Sequence, residues 1–260
     1  MPDASTGALP VVSNPAPAAR VAVPSKGCEL ATDAFSKMDQ SYYSIGIPVG
    51  YDGSNPLPMV WAFHGGGGNN DELVYYGQSQ LARDYVMVYP EWSARDYEAS
   101  KALVDAMWQE VVDTYCVDLA HVFATGFDEG AQLLVHMLCD NDTRFAAVAP
   151  IDASNYCATV APLPVLYMGG RLNAQRPAGT HEQVAEMFAL SNGCSTSQPY
   201  SAVKGCSLGS FNVNPGCVEY QGCSKTTQFC YFSEPQAPAG YGGRPCFGTT
   251  AMYDFFQAIP

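Results

Sequence analysis

The stretch His121-Val-Phe-Ala-Thr-Gly126-Phe127-Asp128-Glu129-Gly130-Ala131 constrains the fold of this chain more than any other. It reads as a short strand over 121–125, a sharp turn, and a helix over 129–139. A turn of this kind lifts the residue at its apex above the end of a sheet. Here that residue is Asp128, followed directly by a second carboxylate, Glu129.

The pattern around this turn alternates strands with helices. Residues 42–48 read as a strand before the turn signal Asp52-Gly53. Residues 58–63 are an unbroken apolar run of the sort that a buried parallel strand shows. A helical stretch covers about 71–84, and strands follow at 86–89, 145–151 and 164–168. Leu103, Met107, Val111 and Tyr115 share one face of a helix over 100–115. Further helices are expected at 180–190 and 250–258, with a late strand at 228–232. This alternation predicts an α/β fold: a mostly parallel sheet with helices on both faces, in one domain over 28–260 without internal repeats. Residues 1–27 are an Ala-, Pro- and Val-rich arm with neither period, expected to be extended.

The net charge of −13 argues against nucleic acid or an anionic membrane as a partner. No apolar run reaches the length of a membrane span, and the first residues show no secretory signal. The ten cysteines are Cys28, Cys116, Cys139, Cys157, Cys194, Cys206, Cys217, Cys223, Cys230 and Cys246. They form no C-x-x-C pair and accompany only four histidines, which favours disulfides over zinc. Disulfides predict a secreted, extracellular protein. Asn141-Asp142-Thr143 is a sequon in a polar loop, which makes Asn141 a glycosylation candidate.

Several ordered pieces then carry a resemblance. Phe63-His-Gly-Gly-Gly67 follows one strand and Val122-Phe-Ala-Thr-Gly-Phe127 leads into the turn. With Gly27-Cys28, Phe145-Ala-Ala-Val-Ala-Pro150, Asn192-Gly-Cys194, Tyr220-Gln-Gly-Cys223 and Phe255-Phe256, they resemble the secreted esterase family of polyhydroxybutyrate depolymerases and feruloyl esterases. The resemblance covers roughly residues 28–258 and implies the α/β-hydrolase fold. It also implies where the chemistry should lie. The family's nucleophile motif G-F-S-x-G-G reads Gly126–Ala131 here, with Asp128 in the place of serine. Its acid motif H-G-T-A-D-x-x-x-P reads Gly169–Pro177, with Asn173 at the acid. Its histidine motif W-C-E-F-D-G-G-H-T reads Phe229–Ala237, with Gln236 at the base. His64, Gly65, Gly66 and Glu129 fall in the oxyanion region.

Acyl transfer needs a nucleophile, a base that takes and returns its proton, and a group that orients the base. Gln236 cannot accept and return a proton near neutral pH, Asn173 has no charge to stabilise an imidazolium, and a carboxylate at Asp128 repels a developing oxyanion. The resemblance therefore implies a catalytically inactive, esterase-like protein with a binding or structural role, no catalytic residue and no cofactor or metal. Expected partners are a second copy joined through the arm, a carbohydrate, or another protein; the 16 Tyr, 12 Phe and 3 Trp suit all of these. Three alternatives stand beside it. Asp128 is a nucleophile in the manner of dehalogenases and epoxide hydrolases, with His181 the one histidine available, since His64 lies in the glycine loop, His121 in a strand and His136 along a helix. Residual feruloyl or polyester esterase activity is the second. The third is calcium held by Asp128, Glu129, Asn173 and Gln236, although a hydrogen-bonded cluster of amides and carboxylate is the favoured arrangement of these groups.

Overall fold

The computed structural model describes residues 21–29, 43–66, 75–77, 79–92, 96–154, 157–171, 177–208, 211–213, 215–232 and 244–260. Its strands are β1 (Tyr43–Gly46), β2 (Leu57–Phe63), β3 (Val86–Pro90), β4 (Val117–Phe127), β5 (Ala147–Ile151), β6 (Val165–Gly170), β7 (Thr196–Tyr200), β8 (Cys206–Leu208), β9 (Phe211–Val213), β10 (Gly216–Gln221) and β11 (Thr227–Phe232). Its helices are α1 (Leu81–Asp84), α2 (Tyr97–Thr114), α3 (Glu129–Cys139), α4 (Ala178–Ser191) and α5 (Gly248–Gln257).

Nine strands form one sheet in the order β1-β3-β2-β4-β5-β6-β11-β10-β7, and β8 and β9 make a separate hairpin. The six strands from β3 to β11 are parallel, while β1, β10 and β7 join antiparallel at the margins. The apolar run of β2 shows why both faces are covered. Met59, Trp61 and Phe63 enter one core, and Val60 and Ala62 enter the other, following the two-residue period of a strand. Helices α2, α3 and α4 cover the first core, and α1 and α5 the second. The parallel, doubly covered sheet expected from the sequence is therefore present.

Several details differ from expectation. Helix α2 begins at Tyr97 because the Asp96 carboxylate caps it, accepting the Ala99 amide at 3.0 Å. Its buried stripe is Val104, Met107, Val111 and Val112, with Leu103 only half-buried. Of the helix expected over 71–84, residues 71–74 and 78 lie outside the described residues and Leu81–Asp84 is helical. The Cys-rich stretch, to which the sequence pattern assigns no element, supplies β7, β8, β9 and β10.

All ten cysteines are paired, as Cys28–Cys116, Cys139–Cys157, Cys194–Cys223, Cys206–Cys246 and Cys217–Cys230. Among the described residues no helix is long and apolar enough to cross a membrane. Residues 1–20 of the arm lie outside the described residues; its last residues run beside the start of β4. Leu119 N donates to Val23 O at 2.8 Å, Ser25 N to Val117 O at 2.9 Å, and the Ser25 hydroxyl to Tyr115 O at 2.7 Å. A Cβ on Gly27 would stand 2.4 Å from the Tyr115 backbone, so only glycine admits this approach.

Candidate functional site

Strand β4 ends at Phe127 and α3 starts at Glu129, so Asp128 makes the turn alone, at φ 55° and ψ −117°. Such backbone geometry is strained for a residue with a side chain, at a cost of about 1–3 kcal/mol. The surroundings over-determine it. Asp128 N donates to Ile151 O at 3.0 Å, and Asp128 O accepts Gln132 N at 3.0 Å. A Cβ on Gly126 would lie 2.6 Å from the Gly130 carbonyl carbon, and one on Gly130 would lie 2.3 Å from the Phe63 and His64 oxygens. The two glycines are thus steric requirements of the turn.

The glycine loop after β2 closes over the apex. A Cβ on Gly65 would touch the Phe127 ring at 3.1 Å and Asp128 Cβ at 3.4 Å. Gly66 N donates to Glu129 Oε2 at 2.7 Å, so a carboxylate of the chain itself occupies this loop amide. His64 is buried, with Nδ1 2.8 Å from Gly65 O, Nε2 4.0 Å from a Glu91 carboxylate oxygen, and its ring 5.4 Å from that of Trp92. The structure brings His64, Gly65, Gly66, Asp128 and Glu129 together; Asn173 and Gln236 lie outside the described residues.

Two residues at this end of the sheet were not singled out by the sequence. Asp152 follows β5 at φ 58°, and its carboxylate accepts Gly170 N at 2.6 Å. Because Phe127 pairs with Ile151, Asp128 and Asp152 leave neighbouring strand ends. His181, fully buried on α4, sets Nε2 3.4 Å from Asp152 Oδ1 and Nδ1 2.7 Å from the Tyr167 hydroxyl. Arg244 is the second: 3% exposed, its guanidinium carbon lies 4.6 Å from the Phe127 ring centroid and 5.5 Å from that of Tyr75. It sets a permanent cation beside the turn. No local pattern distinguishes a buried arginine from an exposed one, and Asp152 sits in no motif.

The other histidines are engaged elsewhere. His121 Nδ1 lies 2.5 Å from Asp118 Oδ2, and His136 packs 4.4 Å from the Tyr97 ring, where burial holds its pKa below the usual imidazole range. Among the described residues no group of three or more His, Cys, Asp or Glu side chains is disposed to hold a metal.

No family model matches the chain. It is 26% identical over 235 residues to a probable feruloyl esterase C of Aspergillus niger, covering 83% of both chains. Feruloyl esterase C of Emericella nidulans is 26% identical over 243 residues, 87% of each, and feruloyl esterase D of Neurospora crassa 24% identical over 247 residues, 80% of each. Among solved structures, acetyl xylan esterase from Aspergillus awamori superposes with a TM-score of 0.61 at 15% identity, over 83% of this chain and 93% of that one. A thermostable esterase superposes at 0.51 and 15% identity, over 84% of this chain and 57% of that one. The fold is therefore the α/β-hydrolase fold, and the relatives support an esterase-like α/β-hydrolase family for this chain.

Proposed function

We propose that this chain is a secreted, catalytically inactive esterase-like protein that binds or assembles rather than hydrolyses. The carrying observation is the pair of carboxylates at the turn: Asp128 at its apex and Glu129 on the loop amide of Gly66. An oxyanion hole works by offering unoccupied donors to developing negative charge. Here the Gly66 donor already serves an anion at 2.7 Å, and a charge-assisted bond of this kind contributes roughly 1.5–3 kcal/mol. The resemblance adds amides, Asn173 and Gln236, at the acid and base positions. Five disulfides support the extracellular part of the reading. A second copy gripping the arm is the favoured partner, with carbohydrate or another protein next; the hold of Val23 and Ser25 on β4 supplies the arm with a fixed root.

The decisive test is an assay of purified protein on a short-chain aryl ester beside a serine-reactive fluorophosphonate probe. The expected result is neither turnover above a denatured control nor labelling. Turnover abolished by Asp128→Ala would overturn the reading in favour of an aspartate nucleophile. That second reading draws support from the strained turn, which still lifts Asp128 as it would a nucleophile. Against it, His181 is fully buried between Tyr167 and Asp152, away from water that a base would need to activate. For assembly, deletion of residues 1–26 should lower the solution mass to that of a monomer; a monomer before and after would end the idea.

A further inference from the structure

We infer that Asn141 is a site of N-linked glycosylation and that the first sugar lies in the trough between its loop and helix α2. Helix α3 ends at Cys139, and Asn141 follows at φ 62°, exposed, with its backbone N–H donating to Leu138 O at 3.1 Å. A left-handed residue at a helix end explains an asparagine here without any glycan. It does not explain the exposed Thr143 two positions on, which completes the sequon.

The residue between them is out of the way. The Asp142 carboxylate is gripped by the Arg144 guanidinium, with Nε 3.0 Å from both its oxygens, and does not compete for the Asn141 amide. No hydrogen bond ties down the Asn141 side chain among the described residues. Beside it opens a trough of about 420 Å³, lined by Lys101, Asp105, Trp108 and Arg144 as well as the sequon. Trp108 is half-buried, with the Arg144 guanidinium carbon 5.3 Å from its ring centroid. Trp61 stacks on this ring and Arg144 lies over it, so the trough offers a sugar the edge of the ring, with the Lys101 and Asp105 side chains within reach of its hydroxyls.

The reaction needs a lipid-pyrophosphate-linked oligosaccharide and the transferase of a eukaryotic secretory pathway. A bond forms between Asn141 Nδ2 and the anomeric carbon, the bond from that carbon to the pyrophosphate oxygen breaks, and an amide proton leaves to a base on the transferase. The acceptor lies two residues from Cys139, whose bond to Cys157 closes the loop containing it.

The inference rests on the extracellular part of the proposed function, so the test supplies secretion independently. The full chain is expressed in yeast behind a heterologous secretory leader, and the Asn141 peptide from the medium is read by mass spectrometry. The expected result is a hexosamine-bearing peptide that disappears in Thr143→Ala and persists in Thr143→Ser. An unmodified Asn141 in secreted wild-type protein overturns the inference. Trimming the glycan to its first sugar should leave Tm unchanged, while the bare Thr143→Ala protein should melt about 2 °C lower. Equal melting of all three forms would overturn the trough contact. Presence of the chain outside the cells of its own source tests the extracellular reading separately.

Discussion

Strands β5 and β6 are buried at every position, whereas β7, at the far margin of the same sheet, is exposed at four of its five. The first region is held by burial on two faces. The second, the margin from Cys194 to Thr226, holds one or both ends of three of the five disulfides, and among its described residues only Cys217 is buried. One sheet thus combines two means of stabilisation. Where the core thins, crosslinks limit the freedom of the unfolded chain.

The largest test of this contrast lies in the core. Trp61 is fully buried and stacks 5.7 Å from Trp108, so Trp61→Ala should cost about 3–5 kcal/mol in urea unfolding. A loss no larger than that of a margin substitution would erase the contrast. Next, Cys194→Ala with Cys223→Ala should cost about 3 kcal/mol. Hydrogen exchange should then show β7 and β10 losing protection while β5 keeps it; equal loss in β5 would mean that the two regions unfold as one unit.

A smaller effect is expected at Tyr51, whose hydroxyl accepts Cys116 N at 2.6 Å and donates to Cys116 O at 3.2 Å. Tyr51→Phe should cost about 1 kcal/mol. Burial pushes the Tyr51 pKa up to about 12, so the folded state keeps a proton that the unfolded state begins to release near the ordinary value of 10.0. The stabilisation is whole below that value and is lost as pH rises toward the folded one, so Tyr51→Phe should flatten the alkaline fall in stability. An unchanged slope would assign that fall to other buried tyrosines. The smallest effect is expected at the margin: Ser197→Ala, on the exposed β7, should change stability by less than about 0.5 kcal/mol.

Legibility in the sequence follows the same division. The turn at Asp128 was readable because steric demands are written in glycine: Gly126 and Gly130 stand where a Cβ would strike backbone. The buried strands were readable as unbroken apolar runs, since both their faces meet a core. The margin was not. Residues 196–200, Thr-Ser-Gln-Pro-Tyr, bury only part of Tyr200 and so carry no alternation; their strand character comes from pairing with β10, a property of the assembled sheet. Cysteine count and crowding gave the existence of crosslinks but not their partners, which depend on proximity in space. Asp152 and Arg244 stayed hidden for a related reason, because burial of a charge is decided by elements distant in sequence.

The ties at the root of the arm have a mechanical consequence. Asp118 accepts Val23 N at 2.8 Å, Ser25 is bonded to Tyr115 and Val117, and Cys28 is covalently joined to Cys116. All of these anchors sit at the beginning of β4 or immediately before it, and β4 is the strand whose other end is the strained turn at Asp128. Tension applied to the arm would therefore pass first into hydrogen bonds that run alongside β4, and then into a covalent link that does not slip. The strand flanked by β2 and β5 would take that force along its axis, so a pull on the arm would address the same strand that presents Asp128.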